Sequence, residues 1–140
     1  MKKIIILIPI FNDWESLSKL IKQISFHMEK LKNYQINLII INDGSTISRP
    51  EIIIPKNINS IKIINMKINK GHTTCIAFGF YYVTNNEKFD NLILMDGDGE
   101  DRPEEIKMLI DKSLSNQGKS TVAKRFKRSE GMLFKIFYNL

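Results

Sequence analysis

One cysteine (Cys75), one tryptophan, seven glycines and four prolines are thinly spread through 140 residues. A lone cysteine excludes a disulfide framework and a thiolate metal cluster, and it fits a reducing, cytosolic setting. So little glycine and proline excludes collagen-like and low-complexity chains. No apolar run approaches the ~18 residues that a membrane-spanning helix needs. No Gly-x-Gly-x-x-Gly follows the first apolar run, and no Gly-Lys-Ser/Thr phosphate loop occurs, which argues against the dinucleotide-binding and P-loop classes. The opening Met1-Lys2-Lys3 and the stretch Ile4–Ile10 imitate a signal peptide. That stretch is short, broken by Pro9 and without a small-residue cleavage site, so it reads as a buried first strand.

What is present suits one globular domain over residues 1–140, since 43% apolar and 26% charged residues allow a single core. The net charge of +6 is unevenly placed. Residues 119–140 hold six basic side chains against Glu130 alone and form a basic amphipathic tail, while residues 96–105 hold six carboxylates and one arginine. The basicity therefore belongs to the tail rather than to the domain.

The apolar periodicity alternates between strand and helix. Ile4–Ile8 is a continuous run, as in a strand buried on both faces. Leu17, Leu20, Ile21, Ile24, Met28 and Leu31 mark one face of a helix of about 18 residues, with Asn12 or Asp13 as its N-cap. Ile36–Ile41 is a second strand, stopped by the turn chemistry of Asn42-Asp43-Gly44-Ser45-Thr46. Ile52–Ile54, between two prolines, is at most a short edge strand or a packed loop. Ile61–Met66 and Asn91–Met95 are further strands. Thr73–Val83 and Pro103–Leu114 are helices, the latter with proline in its first turn. Residues 121–123 suggest a short fifth strand and 132–140 another amphipathic helix. The expected architecture is α/β, a mostly parallel sheet with helices on both faces.

Ligands of such sheets bind beyond the carboxyl ends of the strands. There the sequence carries Pro9-Ile10-Phe11-Asn12-Asp13, Asn42-Asp43-Gly44-Ser45, Asn69-Lys70-Gly71-His72 and Asp96-Gly97-Asp98-Gly99-Glu100-Asp101. Carboxylates at alternate positions, with glycines to turn the backbone, repel one another unless a cation joins them. Oxygen ligands suit Mg²⁺ or Mn²⁺ shared with substrate phosphates. The competing reading is a solvated acidic loop whose Glu104 and Glu105 favour a helix N-terminus. Asp43 could accept hydrogen bonds from a nucleobase or ribose, or could close an Asx-turn. Lys70 and Gly71 could present a cation and backbone N–H groups to a phosphate, or could stand in solvent. His72 reads as a helix-start or packing residue, and Cys75 as a core residue.

Together these segments resemble the glycosyltransferase family 2 pattern, and most nearly its polyprenyl-phosphate branch, the dolichol-phosphate mannose synthase and undecaprenyl-phosphate sugar transferase type. The matching text is Ile-Pro-Ile-Phe-Asn-Asp (8–13), Ile-Asn-Asp-Gly-Ser-Thr (41–46), Asn-Lys-Gly-His (69–72) with Ala77 and Gly79, and Met-Asp-Gly-Asp-Gly-Glu-Asp-Arg-Pro-Glu-Glu (95–105). The basic segment 122–138 completes it. The resemblance implies a GT-A type fold and sugar transfer from a UDP- or GDP-linked donor. By position, Pro9, Phe11 and Asp13 would line the nucleotide pocket, and Ile41 and Asp43 would hold the base. Asp96, Gly97 and Asp98 would meet ribose, diphosphate and metal. Glu100 stands where the branch often has a metal-binding glutamine, and Arg125 matches an arginine that meets the diphosphate. Guanidinium geometry suits that role.

The branch normally continues into an acceptor segment with a catalytic aspartate, and no carboxylate follows Glu130. The catalytic base is therefore unassigned, and the chain is expected to be a donor-binding half lacking the C-terminal part of the fold. The alternative to an active transferase is a catalytically silent nucleotide-sugar-binding module. The tail, with its apolar residues between 132 and 138, would suit an anionic membrane surface and a polyprenyl-phosphate or cell-envelope glycan acceptor. Equally, further chain would bury it. The expected location is cytoplasmic, at the inner face of the cell membrane. No nucleic-acid recognition motif accompanies the basic residues.

Overall fold

The computed structural model describes residues 1–115. The strand expected at 121–123, the helix expected at 132–140, Arg125 and the basic tail lie outside the described residues. Residues Met1–Lys107 form one compact unit, and a second begins at Met108.

The first unit is a four-stranded sheet in the order β3-β2-β1-β4, with every pairing parallel. β1 (Lys2–Ile10) is central, and Ile4 to Ile8 are fully buried, as their unbroken apolar run requires. It pairs along its whole length with β2 (Tyr34–Asn42), from Lys2 opposite Tyr34 to Ile10 opposite Asn42. β3 (Ser60–Asn65) lies outside β2, while β4 (Asn91–Leu94) lies on the other side of β1.

Side-chain alternation splits the core into two layers. Ile5, Leu7, Ile39 and Ile41 pack with Cys75 and Val83 of helix α2 (His72–Asn86). Gly79 lets α2 approach closely, since a Cβ there would stand 2.8 Å from a Leu7 methyl. The opposite parity, Ile4, Ile6 and Ile8, faces the layer of helix α1 (Trp14–Met28), whose Leu17, Leu20, Ile21, Ile24 and Met28 are buried. The helices thus cover both faces, as expected.

The departures are local. α1 ends at Met28, so Leu31 falls in the following turn and donates its N–H to the Met28 carbonyl. Asp13 occupies the N-cap but makes no side-chain cap bond. Asn12 does not cap either. It adopts a positive φ of 61°, and its Oδ1 accepts the N–H groups of Thr46 and Ile47 across the sheet end. Ile52–Ile54 is a loop, with Ile53 80% exposed. That long β2–β3 connection is pinned by Trp14 Nε1–H on the Ile47 carbonyl, by Asn57 on Ser25 and by Asn59 on Asn37. Pro103–Glu105 form a 3₁₀ turn before helix α3 (Ile106–Ser115).

Candidate functional site

The loops after all four strands meet at the carboxyl edge of the sheet. β1 is followed by β2 on one side and flanked by β4 on the other, so the strand order reverses there, and a crevice opens at such a point. It is a cleft of about 470 Å³, within the range of small-molecule sites.

Pro9 and Phe11 supply its apolar wall, Phe11 with 43% of its surface exposed. Asp13, Asp43, Asp96 and Asp98 supply four carboxylates, and Gly71 and Gly97 bring backbone close. Eight of the residues expected at a donor site therefore share one cavity. Gly97 has no room for a side chain, since a Cβ would meet Ile10 Cγ2 at 2.5 Å and the Pro9 carbonyl oxygen at 3.0 Å. This contact seats the acidic loop against the end of β1.

Asp43 is 97% removed from solvent at the end of β2. Its Oδ1 accepts the Lys70 N–H at 2.8 Å and its Oδ2 accepts the Gly71 N–H at 2.9 Å. Two backbone donors satisfy a buried carboxylate that would otherwise be costly. The same bonds correct the reading of the Lys70-Gly71 segment. Those two N–H groups are taken by Asp43 and are not presented to a phosphate, and the Lys70 side chain is exposed on the loop without lining the cleft. Gly44 makes this junction possible: at φ +69° its missing Cβ would fall 2.5 Å from the Asn69 nitrogen.

Ile41 is likewise corrected. Ile41 lies two residues after Ile39 in β2 and shares its face, so its side chain enters the α2 layer, where it is fully buried. Its carbonyl accepts the Cys75 S–H at 3.5 Å. Cys75 is a core residue that also forms part of the cleft floor. Burial, followed by the neighbouring Asp43 charge, pushes its thiol up to about 11, so it is neutral at physiological pH.

The acidic segment does not gather three ligands. Asp101 Oδ2 accepts the Asp96 N–H at 2.8 Å and Asp98 Oδ1 accepts the Glu100 N–H at 2.9 Å, closing the loop on itself. Gly99, at φ +86°, carries the chain out of the cleft, and Glu100 is exposed and does not line it. Among the described residues no group of three or more His, Cys, Asp or Glu side chains converges to hold a metal. What remains is a pair, Asp96 and Asp98.

Ile10, Asn69, His72 and Cys75 also line the cleft, beyond the residues expected to bind a donor. His72 starts α2 as expected but does not pack: its side chain is 61% exposed, and Nε2 stands 3.4 Å from Asp96 Oδ1. The signal for it was its place directly after the loop of β3, a strand-end position like the others.

An open parallel sheet with carboxylates converging at its topological switch point is a ligand-binding α/β domain. The family model described as Glycosyl transferase family 2 matches residues 5–137, nearly the whole chain, and the protein belongs to that family. The first unit is thus most of a glycosyltransferase domain of GT-A type, and family 2 domains bind nucleotide-sugar donors. No helix among the described residues is long and apolar enough to cross a membrane.

Proposed function

We propose that the cleft binds the nucleoside diphosphate of a UDP- or GDP-linked sugar and that the sugar passes from it to a polyprenyl phosphate or a cell-envelope glycan precursor. The observation that supports this reading is the collection of Asp43, Asp96 and Asp98 in one cavity lined by Pro9 and Phe11. Phe11 offers a face on which a base can stack. Asp43, its oxygens already occupied by backbone, acts through the loop it fixes and through the second lone pair of each oxygen.

Asp96 and Asp98 fit Mg²⁺ or Mn²⁺. Two hard carboxylates, without a closed protein cage, suit an ion that takes its remaining ligands from substrate phosphates and water. Held by Asp96 and Asp98, such an ion would supply positive charge to offset that of a departing diphosphate. The protein's own part is to hold both carboxylates at the strand end, to keep the apolar wall dry against the base, and to fix the loop beside Asp43. The lipid-phosphate acceptor and a site of action at the inner membrane face rest on the family resemblance and on the composition of the basic tail.

Calorimetric titration of UDP and GDP, with and without Mn²⁺, tests the reading. One nucleoside diphosphate binds, and binds more tightly with the ion. Asp98→Ala removes the metal-dependent increment. Release of nucleoside diphosphate from the matching nucleotide sugar, followed by transfer to a short polyprenyl phosphate, distinguishes a transferase from a silent binding module. Equal affinity for all nucleotides with and without metal refutes the proposal.

A further inference from the structure

His72 is the one side chain among the described cleft-lining residues that can carry positive charge. The other polar lining side chains are Asn69 and four carboxylates, which an anionic ligand alone would not approach. The imidazole is not locked in place. Its side chain is 61% exposed, and at 3.4 Å its contact with Asp96 Oδ1 is longer than an ordinary charged N–H···O bond. It stands at the first position of α2, whose 15 residues direct a partial positive charge toward that end. Asp43 anchors the preceding Lys70 and Gly71 amides, so the largely exposed imidazole is carried on a backbone held by two hydrogen bonds.

We propose that His72 is a diphosphate-binding residue of the donor cleft: in the empty site its ring rests against Asp96, and with a donor and a divalent cation bound it turns its Nε2–H to the donor's phosphate oxygens. This rests on the nucleotide-sugar reading above and deepens it. The exchange is balanced in charge, because a cation that engages Asp96 removes the group the imidazole was facing and brings in phosphate beside it. The contact needs only an N–H on Nε2, which the imidazolium and the neutral Nε2–H tautomer both carry.

The test compares nucleoside diphosphate with monophosphate on the same protein preparation, by calorimetry with UDP, UMP, GDP and GMP in Mn²⁺. The ratio of the two affinities isolates the second phosphate and does not depend on the folded fraction. His72→Ala lowers the diphosphate-to-monophosphate ratio about tenfold, the loss of one charge-assisted bond, and leaves monophosphate affinity unchanged. His72→Gln, which keeps an N–H near the same place, recovers part of the ratio. An unchanged ratio in His72→Ala, or an equal loss for both nucleotides, overturns the proposal while leaving the donor reading intact. A wild-type chain that binds none of the four nucleotides overturns both.

Discussion

Two loops flank the end of β1, and both are built from aspartate, glycine and small polar residues. They are held in different ways. The loop after β2 is tied to three other segments: Ser45 Oγ accepts the Asn12 N–H, Asn42 donates to Asn65, and Asp43 takes the amides of Lys70 and Gly71. The loop after β4 closes on itself through Asp101 and Asp98, seats Gly97 against β1 and leaves Asp98 exposed. The same residue types thus serve as bracing on one wall and as cleft-facing carboxylates on the other. A carboxylate whose oxygens both hold backbone is part of the scaffold; one that faces open cleft is available to a cation.

Removing the brace should have the largest effect. Asp43→Ala leaves the Lys70 N–H without its acceptor and the Gly71 N–H with Asn69 Oδ1 alone, so urea unfolding should show a loss of roughly 2–4 kcal/mol, with nucleotide binding lost as well. Gly44→Ala tests the same wall sterically. Its positive φ and the 2.5 Å approach to Asn69 predict a loss of roughly 1–3 kcal/mol in the same assay.

Cys75, under the braced wall, supplies a pH test. Its folded thiol ionises at about 11, whereas an unfolded thiol ionises near 8.5 (roughly). A raised folded value means that the stabilisation is complete below the unfolded value and is lost as pH rises toward the folded one. Thermal melting of the native protein should therefore decline between those limits. Cys75→Ala should flatten that decline, and the native thiol should stay inert to thiol reagents at neutral pH.

The wall of cleft-facing carboxylates should respond in the opposite manner. Asp98→Ala should shift unfolding by no more than about 0.5 kcal/mol, as for an exposed side chain, yet abolish the Mn²⁺-dependent part of nucleotide affinity. Smallest of all, Glu100→Gln should leave both stability and metal-dependent affinity unchanged within error. A large binding loss in that variant would return Glu100 to the ligand set and erase the contrast between the loops.

The periodicity of the chain was enough to read the sheet and its helices, because Ile4–Ile8 and Ile36–Ile41 are apolar on both faces and α1 carries a clean stripe. The clustering of the strand ends followed from parallel topology. What could not be read was how polar side chains divide their hydrogen bonds. Asn12 and Asp43 sit in plausible capping and turn positions, and only the packing of neighbouring loops shows that Asn12 holds residues 46–47 and that Asp43 holds 70–71. Ile41 shares the parity of Ile39, and helix α2 covering that face of the sheet is what removes its side chain from the cleft. Glu100 is exposed and outside the cleft lining because Gly99 turns the chain after Asp98, a dihedral choice that the acidic pattern does not encode.

Because β1 is the central strand, its two neighbours arrive at very different times along the chain. β2 follows after one helix, but Ile4 must wait for Asn91 before its second side is paired. The cavity exists only when this last parallel strand has docked, since Asp96 and Asp98 are carried in on its end. Assembly of the pocket is therefore governed by the most distant pairing in the sheet, the slow kind of contact. A ligand that bridges the two walls would recognise only chains that have finished folding, and would hold them there by mass action.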